Sequence, residues 1–198
     1  MNIIDSHQHF WNYEPQKHSW IDEEMKSIRR DFLPEELAQV YKENEITGSV
    51  VVEADQAESE TAFLLSLAKQ NTFIKGVVGF VDLKADTIQE RLEYFRQFNM
   101  LKGFRAVLQS QDPSYMLQPA FLRGIGLLKQ YGFTYDVLVF PKHLAAVKEL
   151  VRKNPDQSFV IDHLAKPYIK AGDIDAWAKD MKELAAFPNL YCKISGMV

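Results

Sequence analysis

Seven short runs rich in β-branched and aromatic residues alternate along this chain with six longer stretches of helical spacing, and few folds accommodate that alternation. The strand-like runs are Asn2–Asp5, Ser49–Glu53, Lys75–Leu83, Leu101–Leu108, Thr134–Phe140, Ser158–His163 and Leu190–Ile194. Continuous apolar stretches such as Val50-Val51-Val52 fit strands covered on both faces, as in parallel sheets. The helical stretches are Pro34–Asn44, Ala57–Gln70, Ala85–Phe98, Pro119–Tyr131, Pro141–Asn154 and Gly172–Phe187. Pro34, with Glu35 and Glu36 behind it, suits a helix start, and Gly132 suits a C-terminal cap. No Gly/Ser-rich linker interrupts the series, so one domain over residues 1–198 is expected. Repeated β/α units leave two architectures, an open doubly wound sheet and a (β/α)8 barrel. A nucleotide-binding open sheet usually carries a Gly-rich turn after strand one; here that strand runs into His7-Gln8-His9. The barrel is therefore the expected fold.

Barrel enzymes gather their chemistry at the C-terminal ends of several strands. Nearly every strand end here offers a polar or titratable group: His7 and His9, Glu53 with Asp55 and Gln56, Asp82, Arg105, Asp136, Asp162 and His163, then Lys193 and Ser195. In extended backbone, residues i and i+2 share a face, so His7 and His9 can point together. Each group has a plain structural alternative. Asp55 and Asp82 suit helix caps, Asp5 suits backbone amides, and Arg105 or Asp136 suits a buried ion pair. Lys193 on an apolar strand requires a partner, because an unpaired buried charge is costly. Phe10 and Trp11 suit packing more than a substrate platform. His18 and His143 fall in loop or helix-start contexts and are expected at the surface. Three strand-end histidines with an arginine and several carboxylates are nonetheless hard to explain as unrelated caps.

The segments Asp5-Ser6-His7-Gln8-His9-Phe10-Trp11, Val52-Glu53-Ala54-Asp55-Gln56, Gly103-Phe104-Arg105, Ile161-Asp162-His163-Leu164-Ala165-Lys166-Pro167 and Cys192-Lys193-Ile194-Ser195-Gly196 occur in that order on successive strands. Together they resemble the amidohydrolase-related family of sugar lactonases, which includes L-fuconolactonase, L-rhamnonolactonase and 2-pyrone-4,6-dicarboxylate lactonase. The resemblance implies a TIM-type (β/α)8 barrel of the metal-dependent hydrolase superfamily that opens a small lactone to its hydroxy acid. It assigns His7, His9 and His163 to catalysis, and Arg105, Lys193, Trp11, Gln56 and Asp136 to substrate binding. It also offers His7, His9 and Glu53 as ligands of one divalent metal, zinc. A fifth-strand Lys or His usually completes a two-metal site, and Asp136 stands there instead, which leaves one metal or a metal-independent site. The family's eighth strand supplies an Asp base. This chain ends at Val198, whereas such barrels run to about 250 residues, so a barrel short of its last β/α unit is expected. Its exposed strand edges lead to the expectation of poor solubility, a swapped or edge-paired homodimer, or a barrel left open. Two alternatives are a zinc-dependent decarboxylase or hydratase of the same superfamily and a barrel that binds a sugar acid without turnover.

Composition narrows the setting. The net charge of −4 gives no electrostatic reason to expect nucleic acid or an anionic membrane as partner. Cys192 is the sole cysteine, so no internal disulfide forms. No apolar run approaches the roughly 20 residues of a membrane span, and Met1-Asn2-Ile3-Ile4-Asp5 has no basic region followed by an apolar stretch, so no signal peptide is expected. A cytoplasmic enzyme is the expectation.

Overall fold

A computed structural model describes residues 2–196, which pack as two compact units. The first unit comprises the chain up to Phe80 together with Phe98–Lys102. It holds β1 (Ile4–Gln8), α1 (Pro34–Glu43), β2 (Gly48–Val52), α2 (Glu58–Gln70) and β3 (Ile74–Gly79). The strands are parallel, with β1 on β2 and β2 on β3. Four of the five β2 residues are buried, as expected of a strand covered on both faces. The amide of Val77 on β3 donates to the carbonyl of Met100, at the mouth of the fourth strand. That bond discriminates between the two architectures. A doubly wound sheet reverses its order after the third strand and places the fourth beside the first. Here the fourth begins beside the third, as in a barrel.

The second unit comprises Val81–Gln97 and the chain from Gly103 on. It holds α3 (Ile88–Phe95), most of β4 (Leu101–Val107), α4 (Pro119–Leu128), β5 (Thr134–Leu138), α5 (Leu144–Lys153), β6 (Phe159–Ile161), α6 (Asp175–Leu184) and β7 (Leu190–Cys192). Its strands also run parallel and in chain order, β4 on β5, β5 on β6 and β6 on β7. The core is aromatic at its centre: Phe104 meets Phe95 at 5.5 Å and Phe133 at 4.9 Å between ring centroids. Gly132 ends the α4 segment with φ of 76°, the left-handed C-terminal cap that its position suggested.

Several boundaries differ from the sequence expectation, and three of them bear on the strand-end groups. The first strand begins later and runs through Gln8, so His7 lies inside it. The third strand ends at Gly79, which leaves Asp82 in a loop where it accepts the Lys84 amide at 2.9 Å. The sixth strand stops at Ile161, and His163 lies beyond it. Two histidines expected at the surface are buried, His18 at 2% exposure and His143 at 0%. His18 is enclosed by Trp11 and Tyr13 in the long loop after β1. His143 Nε2 reaches the Gln111 carbonyl at 3.0 Å, joining two loops. No described helix is long and apolar enough to cross a membrane.

Candidate active site

In the first unit the polar groups cluster at the end of β1 and β2. Asp5 braces the strand: its Oδ1 accepts the His7 amide at 3.0 Å, and its Oδ2 accepts the Tyr41 hydroxyl at 2.9 Å. Two residues on, His7 projects to the same face, and His9 follows it. Their Nε2 atoms lie 3.1 Å apart. His9 Nδ1 stands 2.8 Å from the carbonyl of Val52. A carbonyl only accepts, so Nδ1 carries the proton, and a neutral His9 presents its Nε2 lone pair toward His7.

This geometry fits a bound divalent cation. Two imidazole nitrogens on one tetrahedral zinc, at roughly 2.0–2.1 Å each, stand about 3.3 Å apart, close to the 3.1 Å found here. A ligating histidine typically gives its other ring N–H to a carbonyl or carboxylate, as His9 does to Val52. Glu53 follows Val52 directly and is 1% exposed. The acid near it is Glu60 on α2, whose carboxyl is pushed up to about 7. Burial is the main cause, opposed by the Ala54 amide and reinforced by the charges of Asp55 and Glu53. Sequence reasoning passed over Glu60 because a first-turn helical glutamate looks like an ordinary N-terminal charge. Gln56 is exposed on the loop between β2 and α2. Trp11 is 7% exposed, and its indole N–H is held by the Arg30 carbonyl at 2.8 Å.

In the second unit each of the four strands carries or leads into one charged side chain, Arg105 and Asp136 in register and Asp162 and Lys193 two residues further on. Arg105 on β4 is in register with Asp136 on β5, and Asp136 with Val160 on β6. Asp162 is two residues beyond Val160, on the same face. Lys193 is likewise two beyond Tyr191, the β7 partner of Val160. The result is a buried chain of ion pairs. Arg105 Nη1 donates to Asp162 Oδ2 at 3.1 Å, while Lys193 Nζ lies 2.9 Å from Asp162 Oδ1 and 2.5 Å from Asp136 Oδ2. Asp162 is 0% exposed and Asp136 2%. Burial pushes the Asp136 carboxyl up to about 6, against the pull of Lys193 and with the help of the Asp162 charge. Lys193 therefore has the partner its burial demanded, and Asp136 bridges β5 to the end of β7.

The backbone after β6 is unusual. His163, Leu164, Ala165 and Lys166 all have positive φ, at 52°, 54°, 57° and 49°. None is glycine, and the left-handed region costs roughly 1–2 kcal/mol per such residue. Tertiary contacts impose it. The Leu164 amide donates to the Lys193 carbonyl at 3.2 Å, the Trp177 indole donates to the Leu164 carbonyl at 2.7 Å, and Ala165 is fully buried. His163 Nδ1 shares a hydrogen bond with Ser195 Oγ at 2.8 Å. A Cβ on Gly196 would lie 2.8 Å from the His163 Cβ, so a glycine is required where the chain passes that ring. Strain held this firmly is characteristic of functional positions.

Comparison with known proteins follows the same lines. The family model described as Amidohydrolase matches residues 4–198. L-fucono-1,5-lactonase of Burkholderia multivorans is 37% identical over 202 residues, covering 98% of this chain and 68% of that protein. The L-fucono-1,5-lactonase of Burkholderia ambifaria is 34% identical over 195 residues, covering 98% of this chain and 67% of that protein. The crystal structure of an amidohydrolase from Burkholderia multivorans with bound zinc superposes with a TM-score of 0.95 at 36% identity, covering 100% of this chain and 71% of that one. The β/α-barrel fold class expected from the alternation of strands and helices stands.

Proposed function

This chain belongs to the amidohydrolase family, and from that premise we propose that it opens a sugar lactone, of the L-fucono-1,5-lactone type, to its hydroxy acid. The observation that carries this reading is the pair of Nε2 atoms 3.1 Å apart on His7 and His9, with the His9 tautomer set by Val52. Such a pair can hold a cation or share a proton, and hydrolysis of an ester needs one or the other at the carbonyl and the attacking water.

Each residue has a task that its surroundings fit. His7 and His9, with Glu53 after the neighbouring strand, would hold one zinc ion. When bound, that ion would polarise the lactone carbonyl and acidify water. His163, fixed through Ser195, is suited to pass a proton at the ring oxygen or the water. Arg105 and Lys193 present positive charge set in place by Asp162 and Asp136, so it needs no reorganisation as an oxyanion forms. Gln56, exposed on its loop, would contact substrate hydroxyls. Asp136 is committed to Lys193, which supports one metal rather than two and a hydrolase rather than a zinc decarboxylase. Trp11, closed by Arg30, would shape the site by packing.

The test is a rate and a binding measurement together. L-fucono-1,5-lactone added to the protein is expected to open faster than the spontaneous reaction, followed by NMR, with saturable binding by calorimetry. No binding of any aldono-1,5-lactone would overturn the proposal. Binding of the aldonic acid with no acceleration of the lactone would leave a sugar-acid receptor in place of an enzyme.

A further inference from the structure

Between Asp5 and Gln8 the first strand holds one residue more than its partner. Asp5 pairs with Ser49 and Gln8 with Val51, so Ser6 and His7 together stand opposite Val50. Such a β-bulge breaks the ladder locally and re-aims the side chains within it. The neighbouring strand therefore does not fix the His7 backbone by itself. Asp5 supplies a further hold. Its Oδ1 accepts the His7 amide at 3.0 Å, the local closure that Asp side chains make two residues ahead.

A carboxylate held by that bond alone would still be free to turn about its own side-chain torsions. Its second oxygen is engaged as well, by the Tyr41 hydroxyl at 2.9 Å. Tyr41 lies on α1 and is itself held in place: it is 4% exposed, and its ring meets Phe73 edge to face at 5.6 Å between centroids. A hydroxyl serving only to staple α1 to the sheet could bond any polar group on the strand. This one bonds the carboxylate that closes the bulge carrying His7. The chain of contacts runs from Tyr41 to Asp5 to His7, and the His7 ring ends 3.1 Å from that of His9. Groups that share one task at that separation must be held to within about 0.5 Å.

We propose that Tyr41 is a positioning residue: through Asp5, its hydroxyl sets the bulge that presents the His7 imidazole to His9. This rests on the lactone-hydrolase reading above.

The variants Tyr41→Phe, Asp5→Ala and the two combined test this. Three quantities are read: the imidazole nitrogen resonances of the protein alone by NMR, kcat and KM for L-fucono-1,5-lactone, and the urea midpoint. Tyr41→Phe keeps the ring against Phe73 and removes only the hydroxyl. It is expected to shift the His7 and His9 resonances and to leave that of His143, whose ring bonds Gln111 instead. It should lower kcat about 10- to 100-fold, the cost of a small misplacement, with KM unchanged. Because Tyr41 acts through Asp5, the double variant should be no slower than Asp5→Ala alone. A hydroxyl that merely staples α1 would lower the urea midpoint of Tyr41→Phe and leave kcat and both resonances as in the wild type; that result overturns the proposal. So does a double variant slower than Asp5→Ala by the full Tyr41→Phe factor. Should Asp5→Ala fail to fold, Tyr41→Phe decides by itself. Wild-type protein that opens no lactone overturns the lactone reading, and the resonances still judge Tyr41: His7 and His9 signals unmoved in Tyr41→Phe overturn its positioning role as well.

Discussion

Replacing Asp162 with alanine should destabilise the second unit by about 3–5 kcal/mol, the usual cost of removing one member of a buried charge network. The carboxylate is fully buried and touches two cations, Arg105 through Oδ2 and Lys193 through Oδ1. Its removal leaves both charges buried with less compensation. Domains are stable by only about 5–15 kcal/mol in total, so a loss this large moves the urea midpoint strongly. Asp162→Asn, which keeps the shape and an acceptor but not the charge, is expected to lose less. A change below about 1 kcal/mol, the size typical of exposed pairs, would show that the network is not acting as a buried one.

The pH dependence supplies a second check on the same network. The Asp136 carboxyl is raised from 3.8 to about 6 in the fold, so the native state prefers it protonated. Its ionisation therefore weakens the fold as pH rises from 3.8 to about 6, and the full cost remains above that. The Asp162 charge is one cause of the rise. In Asp162→Ala that contribution disappears, and the slope of stability between those pH values should become shallower. Asp136→Asn should remove the share of the slope that Asp136 contributes and leave that of Glu60.

Most of the fold was legible in the chain because β-branched runs such as Val50-Val51-Val52 have few other uses. What stayed hidden was set by contacts distant in sequence. Asp5-Ser6-His7-Gln8 is too polar to suggest a strand, yet pairing with β2 makes it one. No glycine in His163-Leu164-Ala165-Lys166 announces the left-handed turn, since Trp177 and Lys193 impose it from elsewhere. His18 sits among Gln16 and Lys17 in sequence, but Trp11 and Tyr13 close over it. The need of Lys193 for a partner followed from the cost of a bare buried charge. The identity of that partner required the register of β5, β6 and β7, and this is why Asp162 was overshadowed by the histidine beside it.

The other large effect is expected at the first strand. His7→Ala and His9→Ala should each lower kcat for lactone opening by about 10²–10⁴-fold, the range over which a positioned acid–base or cation-holding group contributes. The informative measurement is the double variant. Two Nε2 atoms 3.1 Å apart serve one cation or one proton between them. Losing either imidazole destroys that shared function, so the double variant should fall little further than the weaker single one. Groups acting as one unit are non-additive in this way. Elemental analysis should show bound zinc falling in each single variant to the level of the double. Rate losses that multiplied instead would mean two separate tasks. His9 also differs from His7 in one respect that can be measured. Its Nδ1 is held by Val52, which fixes the ring before any ligand arrives. His9→Gln, which keeps a polar side chain but not the imidazole tautomer, should therefore be nearly as damaging as alanine, because orientation of the ring and not mere polarity is what this position supplies.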